Sequence, residues 1–181
     1  TMGYSQDVDT ILAAADLLRG EPGIAFALVG DGVETPRLKA LSERMRLPNV
    51  RWAPMQPREK YPAVLHASDA SLVTLRADVG TPVVPSKLLS IMAAGRPALV
   101  SVPLDGDAPK IVADAQCGLC TPPEQPEQLA QAILRLVRDP AYAERLGRNG
   151  RAYIEDHFSV QAAAEQYEAL FARLTSKRGR P

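Results

Sequence analysis

This sequence has little of what a nucleic-acid-binding or membrane-spanning protein needs. Its 181 residues carry 21 basic and 21 acidic side chains, so the formal net charge is zero. A broad electrostatic grip on nucleic acid normally needs a basic face, and aromatic residues for base stacking make up only 5% of the chain. No run approaches the roughly 20 consecutive apolar residues of a membrane-spanning helix. A compact globular domain of ordinary size remains, with 46% hydrophobic residues.

Cysteine is also scarce, and its two copies lie close together. Cys117 and Cys120 form a C-x-x-C pattern, which can be a redox pair or half of a metal site. A redox C-x-x-C usually opens a helix, whereas this one lies in an apolar stretch before Pro122 and Pro123, which predicts a short strand. The sequence has no second Cys/His pair to complete a zinc site. We therefore interpret both cysteines as small strand residues.

Apolar runs alternate with amphipathic segments along the chain. The apolar runs predict strands over residues 24–29, 50–53, 70–75, 98–102 and 119–121. The amphipathic segments predict helices over residues 7–18, 35–45, 58–67, 86–94, 107–115, 127–137, 141–147 and, after a cap at Ser159, to about residue 174. This alternation indicates an α/β fold, a doubly wound parallel sheet with helices on both faces. The unbroken run at 24–29 predicts a strand buried on both faces.

Ligands of doubly wound sheets bind beyond the carboxyl ends of the strands. We therefore expect the site in the loops after Val29, Ala53 and Leu75. A fourth loop, residues 2–5, should follow a strand that precedes this sequence. Residues 1–175 are thus expected to be one domain without its first strand, and residues 176–181 a C-terminal tail.

The segment GTPVVPSKLLS, residues 80–90, has the pattern of an anion site. A turn at Gly80 and Thr81 leads through Pro85 to Ser86 and Lys87, where a helix should begin. The first N–H groups of a helix have no internal partner, and the helix dipole adds partial positive charge there. Ser86 can cap the helix or donate its hydroxyl, and Lys87 adds a full charge, which together suit a diphosphate. An ordinary capped helix with an exposed lysine has the same local pattern.

Five ordered segments resemble a known family. They are MGYSQDVDT at residues 2–10, LVGDG at 28–32, PSK and MAAGRP within 85–97, CGL with PP within 117–123, and HFS at 157–159. From residue 2 to residue 174 the chain resembles the C-terminal domain of family 4 retaining glycosyltransferases, which have the GT-B fold. The form PSKLLSxMAAGRP is similar to the branch that makes bacterial surface polysaccharides.

The resemblance implies a Rossmann-like domain that binds a nucleotide-sugar donor, most often a UDP-sugar. The implied donor-binding residues are Gly3, Gly30, Gly32, Ala53, Pro54, Gly80, Thr81, Pro85, Ser86, Lys87 and Ser90. Lys87 would stabilise the departing diphosphate, and the reaction needs no cofactor and no bound metal.

The resemblance also implies the partners of this domain. An N-terminal domain of the same polypeptide would bring a lipid-linked or saccharide acceptor and the catalytic groups beside it, so this fragment alone should transfer nothing. The full-length enzyme would act in the cytoplasm, at the inner face of a bacterial membrane.

The chain departs from the family pattern at four positions. Two glutamates that most members carry fall on Pro82 and Ser90, so Ser90 can make only part of the usual ribose contact. The Arg and Lys common in the first glycine loop fall on Thr1 and Gln6. We therefore expect Lys87 to carry a larger share of the diphosphate charge.

Two other classes of function remain open. A nucleotide-sugar epimerase of GT-B fold would place catalytic carboxylates and histidines across its domain cleft. A non-catalytic nucleotide-binding module would not need a Ser-Lys pair at a helix start. We interpret His66 and His157 as packed or structural residues and Arg76 as an exposed loop residue.

Overall fold

The computed structural model describes residues 1–79 and 84–177. Its strands form two sheets. In the first, β1 (Phe26–Val29) pairs with β2 (Val50–Ala53); in the second, β3 (Ser71–Thr74), β4 (Ala98–Ser101) and β5 (Gly118–Thr121) lie in that order. Each pairing is parallel, as expected where each strand returns through a helical crossover. The predicted α/β fold with parallel strands is confirmed.

Eight α-helices lie in the described part of the chain. They are α1 (Val8–Leu17), α2 (Thr35–Met45), α3 (Tyr61–His66), α4 (Ser86–Ala93), α5 (Asp107–Ala115), α6 (Pro126–Arg138), α7 (Pro140–His157) and α8 (Val160–Lys177). A 3₁₀ turn, Arg58–Lys60, precedes α3, where we predicted one continuous helix over 58–67. Pro62 accounts for the break, because it has no N–H to donate and is therefore tolerated in the first turn of α3 but not within a longer helix.

Polar side chains explain where the last two helices begin. The Asp139 carboxylate accepts the backbone N–H of Tyr142 at 2.9 Å. The Ser159 hydroxyl accepts the N–H of Ala162 at 3.1 Å. Both bonds satisfy donors that a helix start leaves free, and the predicted cap at Ser159 is confirmed.

Two hydrophobic clusters pack on opposite sides of β4, which is buried along its whole length. Leu99 belongs to the first cluster and Val100 to the second, because successive side chains of a strand point to opposite faces. The first cluster gathers side chains of α1, α2 and α6, among them Leu12, Leu38 and Leu129. The second gathers side chains of α4 and α5, among them Leu88, Met92 and Val112. The predicted helices on both faces are confirmed.

Strand β1 corrects a prediction, since it is not buried on both faces. Phe26 and Leu28 are buried, whereas Ala27 between them is exposed. The parallel register places Ala27 beside Arg51 of β2, which is exposed as well. The unbroken apolar run was misleading because the outward-facing residue is alanine, whose small side chain is tolerated in water.

Helix α7 is also longer than predicted, because its glycines do not end it as we expected. We predicted an end at Gly147, but the helix continues for a total of 18 residues. A Cβ atom at Gly147 would lie 2.2 Å from the carbonyl oxygen of Gly95, and one at Gly150 would lie 3.0 Å from Cys117 Cβ. Glycine is therefore required where α7 crosses the C-terminal end of α4 and does not terminate the helix.

Side-chain hydrogen bonds hold the same end of α4. Arg151 of α7 donates to the carbonyl oxygen of Ala93 at 2.5 Å. Arg96, just after α4, donates to the carbonyl oxygen of His66 at 2.5 Å. These bonds tie the helix end to α7 and α3.

Helix α8 follows α7 and leaves an apolar stripe exposed among the described residues. Tyr167, Leu170, Phe171 and Leu174 recur at helical spacing on it. The helix reaches Lys177, slightly beyond the predicted end near residue 174. Within the described ranges, no helix combines the length and apolarity needed to cross a membrane.

Replacing Gly147 by alanine should destabilise the protein, because the new methyl group would strike the Gly95 carbonyl oxygen. Overpacking costs about 1–3 kcal/mol, and a backbone atom cannot move aside as a flexible side chain can, so we expect the upper end of that range. Urea denaturation followed by circular dichroism measures the change in the free energy of unfolding. Gly20→Ala is the matched control, since no atom lies within 4 Å of its added Cβ. Equal losses in both variants would contradict the requirement for glycine at the crossing.

Candidate functional site

The first loop, residues 2–5, lies directly across the loop that follows β1. The backbone N–H of Met2 donates to the Asp31 carbonyl oxygen at 2.9 Å, and the Glu34 N–H donates to the Met2 carbonyl oxygen at 3.2 Å. A Cβ atom at Gly32 would lie 2.2 Å from the Met2 carbonyl oxygen. Glycine at position 32 is therefore what allows the two backbones to cross.

The loops after β1 and β2 are joined at Gly30. Its N–H donates to the Ala53 carbonyl oxygen at 3.1 Å, which extends the parallel pairing beyond the strands. Gly30 has a φ of +136°, a conformation that L side chains rarely adopt. A Cβ there would meet the terminal methyls of Met55 at 3.9 Å and Met2 at 4.0 Å. Gly30, Gly32 and Ala53 are thus brought together as predicted, and Pro54 follows as an exposed residue.

The loop after β3 joins the same group of loops. The backbone N–H of Arg76 donates to the Ser5 carbonyl oxygen of the first loop at 3.1 Å. The Arg76 side chain is exposed and lies 3.4 Å from an Asp78 carboxylate oxygen. The four loops that we expected at the carboxyl ends of the strands therefore converge on one edge of the fold.

Asp7 and Glu124 link these loops through a contact that sequence reasoning missed. The buried Asp7 carboxylate accepts the Thr10 N–H at 3.3 Å and the Glu124 N–H at 3.1 Å. The Glu124 carboxylate in turn accepts the Ala77 N–H at 3.3 Å. Glu124 has a φ of +58°, unusual for a residue other than glycine. The only local signal was the capping position of Asp7, because its partner lies 117 residues away.

The N-terminus of α4 has no side-chain cap. Pro85 is the N-cap residue, and no side chain accepts the first N–H groups. Ser86 is the first helical residue and is exposed, so of the two roles considered for its hydroxyl the structure excludes the helix cap. The Leu88 N–H turns back to the Pro85 carbonyl oxygen at 2.9 Å. Among the described residues no acceptor reaches the N–H groups of Ser86 and Lys87, which therefore face outward as donors.

Lys87 brings a positive charge to this helix start in an unusual environment. Its side chain is half-buried, and burial lowers the pKa of the ammonium below the ordinary lysine value. No carboxylate or hydrogen-bond acceptor reaches the ammonium in residues 1–79 and 84–177. A partly desolvated cation without a partner is the kind of group that an anionic ligand would stabilise.

Ser90 lies one turn after Ser86 on α4. Its hydroxyl donates to the Ser86 carbonyl oxygen at 3.1 Å, so its proton is used within the helix, and its oxygen can still accept a bond. Gly80 and Thr81, which we predicted to contact the donor, lie outside the described residues, as does Pro82. Pro85, Ser86 and Lys87 are thus the predicted residues that the structure places at the helix start.

Cys120 lies within β5, as predicted, whereas Cys117 is buried just before that strand and is not part of it. Burial raises the pKa of each thiol to about 11, which disfavours the reactive thiolate. In the portion of the chain that the structure describes, no group of His, Cys, Asp or Glu side chains is arranged to hold a metal ion.

A comparison with protein families matches most of this chain to one family. The profile of the family "Glycosyl transferases group 1" matches residues 2–153, which include all four converging loops and α4. This chain belongs to the group 1 glycosyltransferases.

Individual relatives agree with this membership. The putative colanic acid biosynthesis glycosyl transferase WcaI of Escherichia coli K12 is 30% identical over 152 residues, which cover 80% of this chain and 37% of WcaI. The probable glycosyltransferase WbjE of Pseudomonas aeruginosa is 27% identical over 97% of this chain and 43% of WbjE. This group 1 glycosyltransferase chain therefore spans about two-fifths of the length of these curated relatives.

Solved structures match the fold closely. Sucrose-phosphate synthase from Thermosynechococcus elongatus superposes with a TM-score of 0.76 at 26% identity, over 97% of this chain and 44% of the synthase. HepE from Anabaena, solved in complex with UDP, superposes with a TM-score of 0.74 at 21% identity, over 90% of this chain and 44% of HepE. The Rossmann-like fold of the GT-B class, predicted for this glycosyltransferase chain, is confirmed.

Replacing Gly32 by alanine should disturb both the site and the fold, because the added Cβ would overlap the Met2 backbone. We expect a loss of about 2–3 kcal/mol in the free energy of unfolding, since backbone atoms must shift. Thermal unfolding followed by circular dichroism compares this variant with Gly3→Ala, whose Cβ would meet only the Gln6 side-chain oxygen at 3.3 Å. If Gly32→Ala proved as stable as the native protein, the loop crossing at Gly32 would not be a real constraint.

Proposed function

We propose that this chain is the donor-binding domain, the C-terminal one, of a family 4 retaining glycosyltransferase that takes a UDP-sugar. One observation carries the proposal: the uncapped start of α4, where two outward N–H groups adjoin a half-buried ammonium without a partner among the described residues. Diphosphates suit such a site, because their oxygens accept several bonds and their charge is stabilised by the helix dipole. The UDP bound to HepE and the name of WcaI support a UDP-sugar and bacterial polysaccharide synthesis.

In the proposed reaction the bond between the anomeric carbon and the β-phosphate oxygen of the donor breaks. Its electron pair stays on that oxygen, and the leaving UDP gains negative charge. The N–H groups of Ser86 and Lys87 and the Lys87 ammonium stabilise this charge as it develops. Because α4 holds them in place beforehand, little reorganisation is needed at the moment of reaction.

The rest of the donor lies along the carboxyl edge of the sheets. In this proposal the nucleotide lies beside the Gly3 loop, and Gly32 lets the loop after β1 pack directly against the Met2 backbone. The nucleobase contacts backbone groups at Ala53 and Pro54, and Ser90 accepts a bond from the ribose. Gly80 and Thr81 contact the sugar-diphosphate in this proposal. The arrangement uses no metal and no cofactor.

The acceptor and its site belong to the full-length protein. We propose a lipid-linked or saccharide acceptor, held by an N-terminal domain of the same polypeptide at the cytoplasmic face of a bacterial membrane. Residues 1–175 are the donor-binding domain and residues 176–181 its tail. The domain by itself binds donor weakly and transfers no sugar.

Calorimetric titration of the full-length protein with UDP, GDP and ADP tests the donor. We expect UDP to bind best and Lys87→Ala to weaken UDP binding about ten-fold or more, since charge-assisted contacts are worth about 1.5–3 kcal/mol. Lys110→Ala is the matched control, because Lys110 is an exposed lysine at a helix start that pairs with Asp107 at 3.0 Å. A preference for GDP or ADP would exclude the UDP donor, and unchanged UDP binding in Lys87→Ala would exclude the diphosphate role of Lys87.

The affinity for UDP should fall as the pH rises towards the alkaline range. Because burial lowers the pKa of Lys87, the ammonium loses its proton at a lower pH than an ordinary lysine, and the neutral amine no longer attracts the diphosphate. Lys87→Arg should remove this fall, because a guanidinium stays protonated. Titration calorimetry across about pH 7–11, an interval that ends just above the ordinary lysine pKa of about 10.4, measures this fall.

The same pKa shift predicts the opposite slope for stability. In this interval the unfolded chain binds the proton more tightly than the folded chain, so the contribution of Lys87 to the free energy of unfolding rises with pH. Comparing the pH dependence of the free energy of unfolding between the native protein and Lys87→Arg isolates this contribution.

Parallel pH profiles of UDP affinity in the two proteins would argue against Lys87 as the titrating group.

A further inference from the structure

The first loop is closed on itself by the Gln6 side chain. The Gln6 carboxamide oxygen accepts the Gly3 N–H at 2.9 Å, and its nitrogen donates to the Ser5 hydroxyl at 2.9 Å. The Gln6 backbone N–H donates back to the Gly3 carbonyl oxygen at 3.2 Å. Gln6 and Gly3 therefore satisfy each other's groups reciprocally, in an arrangement that we call the Gln6 clasp.

The chemistry of the partners sets the orientation of the carboxamide. The Gly3 N–H can only donate, so it must meet the carboxamide oxygen. The Ser5 hydroxyl can accept, so it suits the carboxamide nitrogen. A flipped carboxamide would place two donors against each other at Gly3, and the clasp thus has one favourable arrangement.

The start of α1, just beyond the clasp, is occupied as well. The Asp7 carboxylate, of which only 4% is exposed, accepts the Thr10 N–H. A fixed negative charge already neutralises this helix terminus. The first loop and the α1 start therefore differ from the α4 start, whose two N–H groups have no acceptor among the described residues.

We propose that Gln6 closes the Gly3 N–H of the first loop to anions, because its carboxamide oxygen occupies the position there that a phosphate oxygen would otherwise take. This inference rests on the proposed function. Gln6 is then a specificity-determining residue of the donor site. It leaves the diphosphate to α4 and Lys87, and it reduces the share of the binding energy that comes from phosphate relative to nucleoside.

Two substitutions at Gln6 separate this role from a structural one. Gln6→Met keeps the length of the side chain but removes the acceptor, which frees the Gly3 N–H for a phosphate oxygen. Gln6→Glu keeps an acceptor at Gly3 but adds a negative charge that repels the diphosphate. A clasp that merely orders the loop would change UDP and uridine binding alike in both variants.

The experiment measures by calorimetry the affinities of the full-length protein for UDP and for uridine. The quantity compared between variants is the affinity for UDP divided by the affinity for uridine. We expect Gln6→Met to raise the ratio about ten-fold or more, as one added bond to a charged oxygen would. We expect Gln6→Glu to lower the ratio, although thermal unfolding should find its melting temperature close to that of the native protein. Gln161→Met on α8, where Gln161 bonds Glu165 at 3.0 Å, is the matched control and should leave the ratio unchanged.

The outcomes separate this inference from the proposed function. A native protein that binds UDP no better than uridine would overturn both. A native preference for UDP with an unchanged or lower ratio in Gln6→Met would overturn the role of Gln6 alone. An unchanged ratio in Gln6→Glu would also overturn it, since a carboxylate beside the diphosphate must cost affinity.

Discussion

Where α7 crosses α4, the backbones of Gly147 and Gly95 meet with no side chain between them. The bond from Arg151 to the Ala93 carbonyl oxygen fastens the same end of the helix. Since α4 has eight residues and a helix rises about 1.5 Å per residue, its N-terminal amides lie about 12 Å from this contact and move with it. The N–H groups at the start of α4, which the proposed site uses, are therefore held in place by packing at the opposite end of the same helix.

The charges at the start of α4 favour the binding of an anionic ligand over the stability of the folded protein. The helix start is left without a cap, and the Lys87 ammonium is half-buried without a carboxylate in the described ranges. Desolvation of an unpaired cation costs free energy in the folded protein. A bound diphosphate would offset this cost, which is the arrangement expected of groups held ready for a developing negative charge. The neighbouring elements are the reverse, because Gln6 already accepts the Gly3 N–H of the first loop and Asp7 the Thr10 N–H at the start of α1.

Much of the fold and part of the site were predictable from local patterns. Apolar runs located all five strands to within one residue, apart from the start of β1, which lies two residues later than predicted. The Pro85-Ser86-Lys87 sequence located the start of α4, because proline before a helix and a glycine after it act on nearby residues. The errors arose where a residue responds to a distant partner. Gly147 looked like a helix terminator, but it contacts the backbone of Gly95 on another part of the chain.

The sequence by itself determined the doubly wound fold, the order of its elements and the helix start that bears Lys87, because hydrophobic periodicity and turn chemistry depend on neighbouring residues. Only the tertiary structure decided which backbone N–H groups at the carboxyl edge of the sheets remain without an acceptor. The sequence is the same whether the Gln6 carboxamide faces solvent or accepts the Gly3 N–H, so it does not show that this donor is occupied. The Asp7 carboxylate accepts the Glu124 N–H across 117 residues of chain. The free or occupied state of an N–H group depends on which acceptor folding places beside it, and that is a property of distance in space.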